Sequence, residues 1–285
     1  MISIRTVAEL RAAVGDARRL GARVGLVPTM GAFHDGHVSL MRAARERCSF
    51  VIVSLFVNPA QFNETADLAR YPRDEAGDQA MASDAGVHVL FAPAVSEVYP
   101  AGFATTVEVS GITEPLEGEV RGPKHFRGVA TVVAKLLNMV QPDEAFFGQK
   151  DAQQALLIRR LTRDLDIPVH ITVCPTIRES DGLAMSSRNA LLTQEARRRA
   201  PGLARALFAV RDAAAEGVTN TATALRAGIT VLDEAGITPE YFAAVSTDTL
   251  GVVEQFDGET LVALAARFGD VRLIDNVILT PRRAP

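Results

Sequence analysis

Two cysteines in 285 residues are too few for a disulfide framework or a cysteine-built zinc site. Cys48 and Cys174 each lie beside a predicted buried strand and read as structural thiols. Their scarcity fits a reducing compartment, and a cytoplasmic setting is expected. No apolar run approaches the ~20 residues that span a bilayer, so no membrane association is expected. The opening MISIRTVAEL reaches an acid at Glu9 and has no basic stretch followed by an apolar one, so no signal peptide is expected. A basic excess is missing too, with 30 Lys and Arg against 34 Asp and Glu and a net charge of −4. Duplex affinity comes mainly from cationic neutralisation of phosphates, so no nucleic-acid partner is expected. Tandem repeats and low-complexity segments are also missing.

The composition is that of a globular protein, 48% hydrophobic and 22% charged, which argues against intrinsic disorder. The length suits one large domain or two modest ones. Apolar, β-rich runs alternate with helical patterns through the first 175 residues. Thr6 and Glu9 have the spacing of a capping box, which predicts a helix to Leu20, stopped at Gly21. Strands are expected at Arg23–Val27, Phe50–Val57, Val87–Phe91, Glu144–Phe147 and Val169–Val173. Helices are expected at Val38–Arg47, Asp74–Ala85, Val129–Val140 and Ala152–Leu165. Nearly continuous apolar strands between helices indicate a parallel sheet covered on both faces. The expected fold is α/β, a Rossmann-like doubly wound domain over residues 1–175. A smaller C-terminal α+β domain is expected over 176–285, with helices at 194–217 and 221–235. Strands follow at Tyr241–Val245, Thr260–Ala266 and Arg272–Leu279.

Several segments fall at strand ends, where open α/β sheets bind ligands. The first runs through Met30, Gly31, Ala32, Phe33, His34, Asp35, Gly36 and His37. It joins a strand to a helix whose free amides and positive end favour phosphate. Glycines allow close approach, and two of the five histidines sit within four residues. Next come Asn58 and Gln61, neutral amides able to donate and accept, after a strand stopped by Pro59. His125 and Arg127 lie in a predicted loop before an apolar helix. Gly148, Gln149, Lys150 and Asp151 open another helix. Lys150 offers a flexible charge to phosphates, and Asp151 an acceptor for ribose hydroxyls. Gln154 shares a helix face with Asp151. Last, Met185, Ser186, Ser187 and Arg188 form a small-residue loop able to wrap phosphate oxygens.

His34-Asp35-Gly36-His37 resembles the HIGH signature of class I aminoacyl-tRNA synthetases and small nucleotidylyltransferases, and Ala184–Arg188 resembles their KMSKS loop without its first lysine. The ordered set PTMGAFHDGH, FVNPAQF, HFRGVATVV, FGQKDAQQ and DGLAMSSRN, across residues 28–189, is more specific. It resembles the pantoate–β-alanine ligase family. The resemblance implies ATP-dependent joining of D-pantoate to β-alanine through pantoyl-adenylate, with AMP and pyrophosphate released. It implies His37, His34 and Lys150 as catalytic, His37 being the usual proton donor. ATP would contact residues Met30–His37, Gly148–Asp151, Ile177 and Met185–Arg188. Gln61 and Gln154 would hold pantoate, Gln61 also lying near β-alanine, and Asn58 would be a further contact. Mg²⁺ would ride on the ATP phosphates. The family also implies a homodimer and a C-terminal domain closing over the nucleotide. The acidic stretch Asp74–Asp78 and the non-aromatic Ala152 depart from its pattern.

Two other readings remain open at this point: a nucleotidylyltransferase with a phosphorylated acceptor, and a nucleotide sensor on the same fold. The neutral amides around Gln61 and Gln154 disfavour the first, and the complete histidine, lysine and serine–arginine set disfavours the second. A tRNA synthetase is disfavoured by the lack of a basic excess.

Overall fold

The computed structural model describes residues 1–63 and 65–280, with the backbone alone for residues 65–67. The chain divides into two compact units, Met1–Gln149 with Gln153–Pro175, and Lys150–Ala152 with residues from Thr176 onward.

In the first unit the chain runs through β1 (Ile2–Ile4), α1 (Val7–Arg19), β2 (Val24–Thr29), α2 (Asp35–Arg47) and β3 (Phe50–Leu55). It continues through α3 (Thr65–Arg70), α4 (Glu75–Asp84), β4 (Val89–Phe91), α5 (Val95–Val98) and α6 (Glu117–Val140). β5 (Glu144–Gly148), α7 (Ala152–Asp164) and β6 (His170–Cys174) follow. The six strands form one parallel sheet in the order β1-β4-β3-β2-β5-β6. The doubly wound sheet expected from the alternating pattern is therefore present. Right-handed crossovers are the rule for such units, and they place helices on both faces. Here α1 and α6 pack on one another and on β2, while α2 packs on β2, β3, β5 and α4. Val27, Met41, Ala44, Val51, Val53, Leu90 and Phe146 form the buried cluster under α2.

Thr6 caps α1 in the expected box with Glu9. Two elements differ from expectation. β1 is a three-residue edge strand pairing β4 through Ile2 and Val89, too short to show a period. α6 begins at Glu117 and breaks at Gly122, where φ is 72°; Pro123 then starts a second helical segment, a position where its missing N–H costs nothing. His125 and Arg127 are therefore helical, which corrects the expected loop. The polar run Arg121–Arg127 hid the helix because it has no apolar period.

The second unit contains α8 (Gln194–Arg199), α9 (Gly202–Ala215) and α10 (Thr221–Glu234), then β7 (Pro239–Ser246), β8 (Thr260–Phe268) and β9 (Val271–Leu279). The strands form an antiparallel sheet in the order β7-β8-β9. Leu203, Leu207, Val210, Leu232, Val262 and Leu264 pack in its core. The expected helix over 194–217 is two helices. Pro201 separates α8 from α9 because it has no N–H for the helical ladder. Among the described residues no helix is long and apolar enough to cross a membrane.

Candidate active site

The chain steps outward from β2 to β3 and β4, then returns to lay β5 on the other side of β2. The carboxyl ends of β2 and β5 therefore flank a topological switch point, where ligands bind in such sheets. Residues Met30–His34 leave β2 there, and α2 starts at Asp35. The helix begins three residues earlier than its apolar period predicts, so His37 lies in its first turn.

The two histidines cap that helix reciprocally. Gly36 N–H donates to His34 Nδ1 at 3.1 Å, and His34 N–H donates to His37 Nδ1 at 3.3 Å. This is a capping box in which imidazoles replace the usual hydroxyl and carboxylate. A ring nitrogen that accepts carries no proton, so a neutral ring has its proton on Nε2. Each ring thereby offers an Nε2–H donor at a helix N-terminus, where amides and dipole already favour an anion. The rings lie 4.2 Å apart, centre to centre, with Phe33 5.4 Å from His37.

The loop ahead of them is held by Asp78 of α4, which is buried. Its Oδ2 accepts from Ala32 N–H at 2.9 Å and its Oδ1 from Phe33 N–H at 2.6 Å. Gly31 has φ of 87°, and a Cβ there would stand 2.8 Å from Asp78 Oδ2. Burial pushes the Asp78 carboxyl above its ordinary range, against the two amides that pull it down. Within the acidic stretch Asp78 thus contributes a loop clamp, while Asp74 caps α4.

The amide pair lies beyond β3. Asn58 is buried and caps the 3-10 turn Pro59–Gln61. Its Nδ2 donates to Gln61 Oε1 at 3.0 Å and to Gly128 O at 3.1 Å. Its Oδ1 accepts from Ala60 N–H at 3.2 Å and Tyr99 O–H at 2.8 Å. Both amide hydrogens and both carbonyl lone pairs are thus taken within the chain. Asn58 orients Gln61, whose Nε2 also reaches Met30 Sδ at 3.2 Å. Burial pushes the Tyr99 phenol up to about 12, which keeps it a donor. α6 approaches the turn so closely that a Cβ at Gly128 would lie 2.4 Å from Ala60 O. His125 lies 2.8 Å through Nδ1 from Gln61 O. A carbonyl only accepts, so His125 carries its proton on Nδ1.

Gly148 ends β5, and the 3-10 turn Gln149–Asp151 leads into α7. The two glutamines of α7 differ. Gln153 is buried and donates to Ile112 O at 2.9 Å and Pro115 O at 2.8 Å, so it holds a turn. Gln154 is half-buried. Of the phenylalanines beside the polar residues, Phe56 and Phe147 are core, while Phe62 is half-buried against Tyr71, 5.8 Å away. Cys48 and Cys174 are free and buried, and burial pushes both thiols up, the mark of inert structural cysteines.

In the second unit Met185 N–H donates to Ile177 O at 2.9 Å, and Arg178 bridges to Ala184. Ser186 Oγ accepts from Arg188 N–H at 3.2 Å, capping the 3-10 turn Ser187–Leu191. Asn189 Nδ2 ties this turn to Glu179 at 2.7 Å and to Ala184 O at 3.1 Å. Sequence reasoning missed Asp78, Tyr99 and Gly128, whose partners lie tens of residues away in the chain.

A parallel sheet with a histidine-capped helix N-terminus at its switch point is an architecture suited to binding an anionic ligand. The family model for pantoate-beta-alanine ligase matches residues 2–278. The pantothenate synthetase of Moorella thermoacetica is 53% identical over 279 residues, 97% of this chain and 98% of that one. The crystal structure of pantothenate synthetase from Thermus thermophilus has a TM-score of 0.91 at 49% identity, covering 97% of this chain and 99% of that one. Pantoate-beta-alanine ligase from Francisella tularensis, complexed with beta-gamma ATP and beta-alanine, has a TM-score of 0.80 at 33% identity, covering 98% and 97%. The chain belongs to the pantoate–β-alanine ligase family. It is an AMP-forming carbon–nitrogen ligase of pantothenate biosynthesis, with ATP as a substrate.

Proposed function

We propose that the chain joins D-pantoate to β-alanine in two steps, using the residues at the β2, β3 and β5 ends. The reciprocal histidine cap carries this reading, because it presents two N–H donors at a helix N-terminus. In the first step the pantoate carboxylate attacks the α-phosphorus of ATP, forming an acyl-phosphate bond while pyrophosphate leaves. In the second the β-alanine amine attacks that acyl carbon, the amide forms, AMP leaves and the ammonium protons pass to solvent. No covalent enzyme intermediate is needed. The work is positioning and charge stabilisation.

His34 and His37 donate through Nε2 to the triphosphate, with Met30 to Phe33, Asp35 and Gly36 lining the nucleotide. Gly148 and Gln149 approach the ATP backbone-first, Lys150 meets the phosphates, and Asp151 takes a ribose hydroxyl. Ile177 and Met185 to Arg188 complete the nucleotide contacts. Gln61 and Gln154 bind pantoate, and Asn58 acts by orienting Gln61. Among the described residues no three His, Cys, Asp or Glu side chains converge as a metal site. Mg²⁺ is commonly held by substrate phosphates with few protein ligands, and carried on ATP it would lower the charge on departing pyrophosphate. A homodimer, and a cytoplasmic setting suited to two free thiols, belong to the same reading. Sedimentation tests the first, as a species of twice the 30.5 kDa chain mass.

Pyrophosphate release with ATP, Mg²⁺ and D-pantoate tests the activity. A pantoate-dependent burst without β-alanine, and turnover to pantothenate and AMP with it, is expected. His37→Ala and Lys150→Ala should each slow the burst by orders of magnitude with the fold intact. Near-wild-type bursts in both would defeat these assignments, and nucleotide retained in the product would favour a nucleotidylyltransferase.

A further inference from the structure

A buried polar array in the second unit is not accounted for by the residues proposed to touch substrates. β9 carries Asp275 and Asn276 side by side, 2% and 3% exposed, in a strand otherwise rich in Val, Leu and Ile. Burying an acid and an amide costs free energy unless each is fully partnered, and a similarly shaped apolar pair is often as stable. The partners of this pair include Lys150 and Arg178, on or directly beside segments proposed to hold ATP. Asn276 Nδ2 donates to Lys150 O at 3.0 Å. Asn276 N–H donates to Asp275 Oδ1 at 2.7 Å. Asp275 receives Arg178 in a fork, Nη1 to Oδ2 at 2.6 Å and Nη2 to Oδ1 at 2.9 Å. Arg178 Nη1 also donates to Gly182 O at 3.1 Å, inside the hairpin from Ile177 to Met185.

We infer that Asn276, braced by the Asp275–Arg178 fork, is a positioning residue that aims Lys150 at the leaving phosphates. This deepens the phosphate role proposed for Lys150 and rests on it. A lysine side chain has four flexible methylenes, so a protein controls it best by fixing the peptide it springs from. Peptide planarity means that holding the Lys150 carbonyl orients the adjoining backbone as one rigid unit. Through Arg178 the same array also holds Gly182 O, in the loop that leads to Ser186–Arg188, so both cationic segments are tied to one support.

Because Lys150 serves the departing pyrophosphate, its misplacement should slow the first half-reaction and spare the second. Asn276→Ala and Asn276→Ser, the latter too short to reach Lys150 O, are compared with Val277→Ala, a half-buried neighbour on the same strand. Pyrophosphate release in a single turnover reports the first step; consumption of supplied pantoyl-adenylate by β-alanine reports the second. We expect both Asn276 variants to slow the first step roughly 10- to 100-fold, the scale of an ångström of misplacement. The second step should stay within about twofold, and Val277→Ala should not split the steps. Equal slowing of both steps, or no slowing in either Asn276 variant, overturns the inference. Wild-type protein lacking pantoate-dependent pyrophosphate release overturns the underlying reading, and this inference with it.

Discussion

Asp78 spends one carboxylate on two consecutive amides of the histidine-bearing loop. Removing it leaves two N–H groups without acceptors, at roughly 1.5–3 kcal/mol for each bond to a charged group. Asp78→Ala should therefore slow pantoate-dependent pyrophosphate release about 100-fold, while Asp74→Ala, a cap at the start of α4, should cost only ~1 kcal/mol of stability. Comparable rates in wild type and Asp78→Ala would remove the clamp from the chemistry. Tyr99→Phe takes a donor from Asn58 Oδ1 and should raise the pantoate KM several-fold with kcat little changed, as loss of about 1 kcal/mol implies. At this scale the sequence was legible where contacts are local. His34 and His37 sit on one short turn, so their proximity at a helix start could be read from spacing. Asp78, Tyr99 and Asn276 act on residues far away in the chain, and no local pattern reports such pairings.

Elements read well where an apolar period or a cap marked them, as in α1 and the parallel strands. They read poorly where polar residues begin a helix, as in α6, or where one proline divides two helices, as between α8 and α9. Glu144, at the start of β5, shows what holds neighbouring elements together. Its buried carboxylate would be pushed up by desolvation, but Thr172 of β6, Arg23 before β2 and Arg47 of α2 pull it below its ordinary range. Arg23 Nη2 lies 2.9 Å and Arg47 Nε 2.6 Å from it. A carboxyl held lower in the folded chain than in the unfolded one adds stability above the unfolded pKa, near 4.3. That stability is lost as pH falls through the folded value. Glu144→Gln should therefore lower the urea midpoint at pH 7 and leave it near that of wild type at strongly acid pH. A midpoint difference independent of pH would show that this carboxylate is not the linked group.

Each unit of the molecule has its own sheet and buried cluster. The change from alternating strands and helices to helices followed by strands was visible in the sequence near residue 190. That Lys150–Ala152 cluster with the later residues was not visible, because nothing in three residues records which core they join. Leu207 is fully buried in the second cluster, and Leu207→Ala should cost about 2–5 kcal/mol. Hydrogen exchange should then quicken through α9, α10 and β7 to β9 while β2, β3 and β5 keep their protection. Uniform quickening would mean that the two cores melt as one.

The histidine cap also settles why neither position suits a lysine. An ammonium has no lone pair to give the helix, and its charge opposes the positive end of α2. Imidazole accepts on one edge and donates on the other, so this half of the site can grip phosphate without adding net charge. On the proposed phosphate roles, affinity there should follow bond direction, and sensitivity to ionic strength should fall to Lys150 and Arg188. A His34→Lys enzyme, though more cationic, should bind ATP less tightly than wild type even in dilute buffer, where tighter binding by calorimetry would show that charge outranks aim.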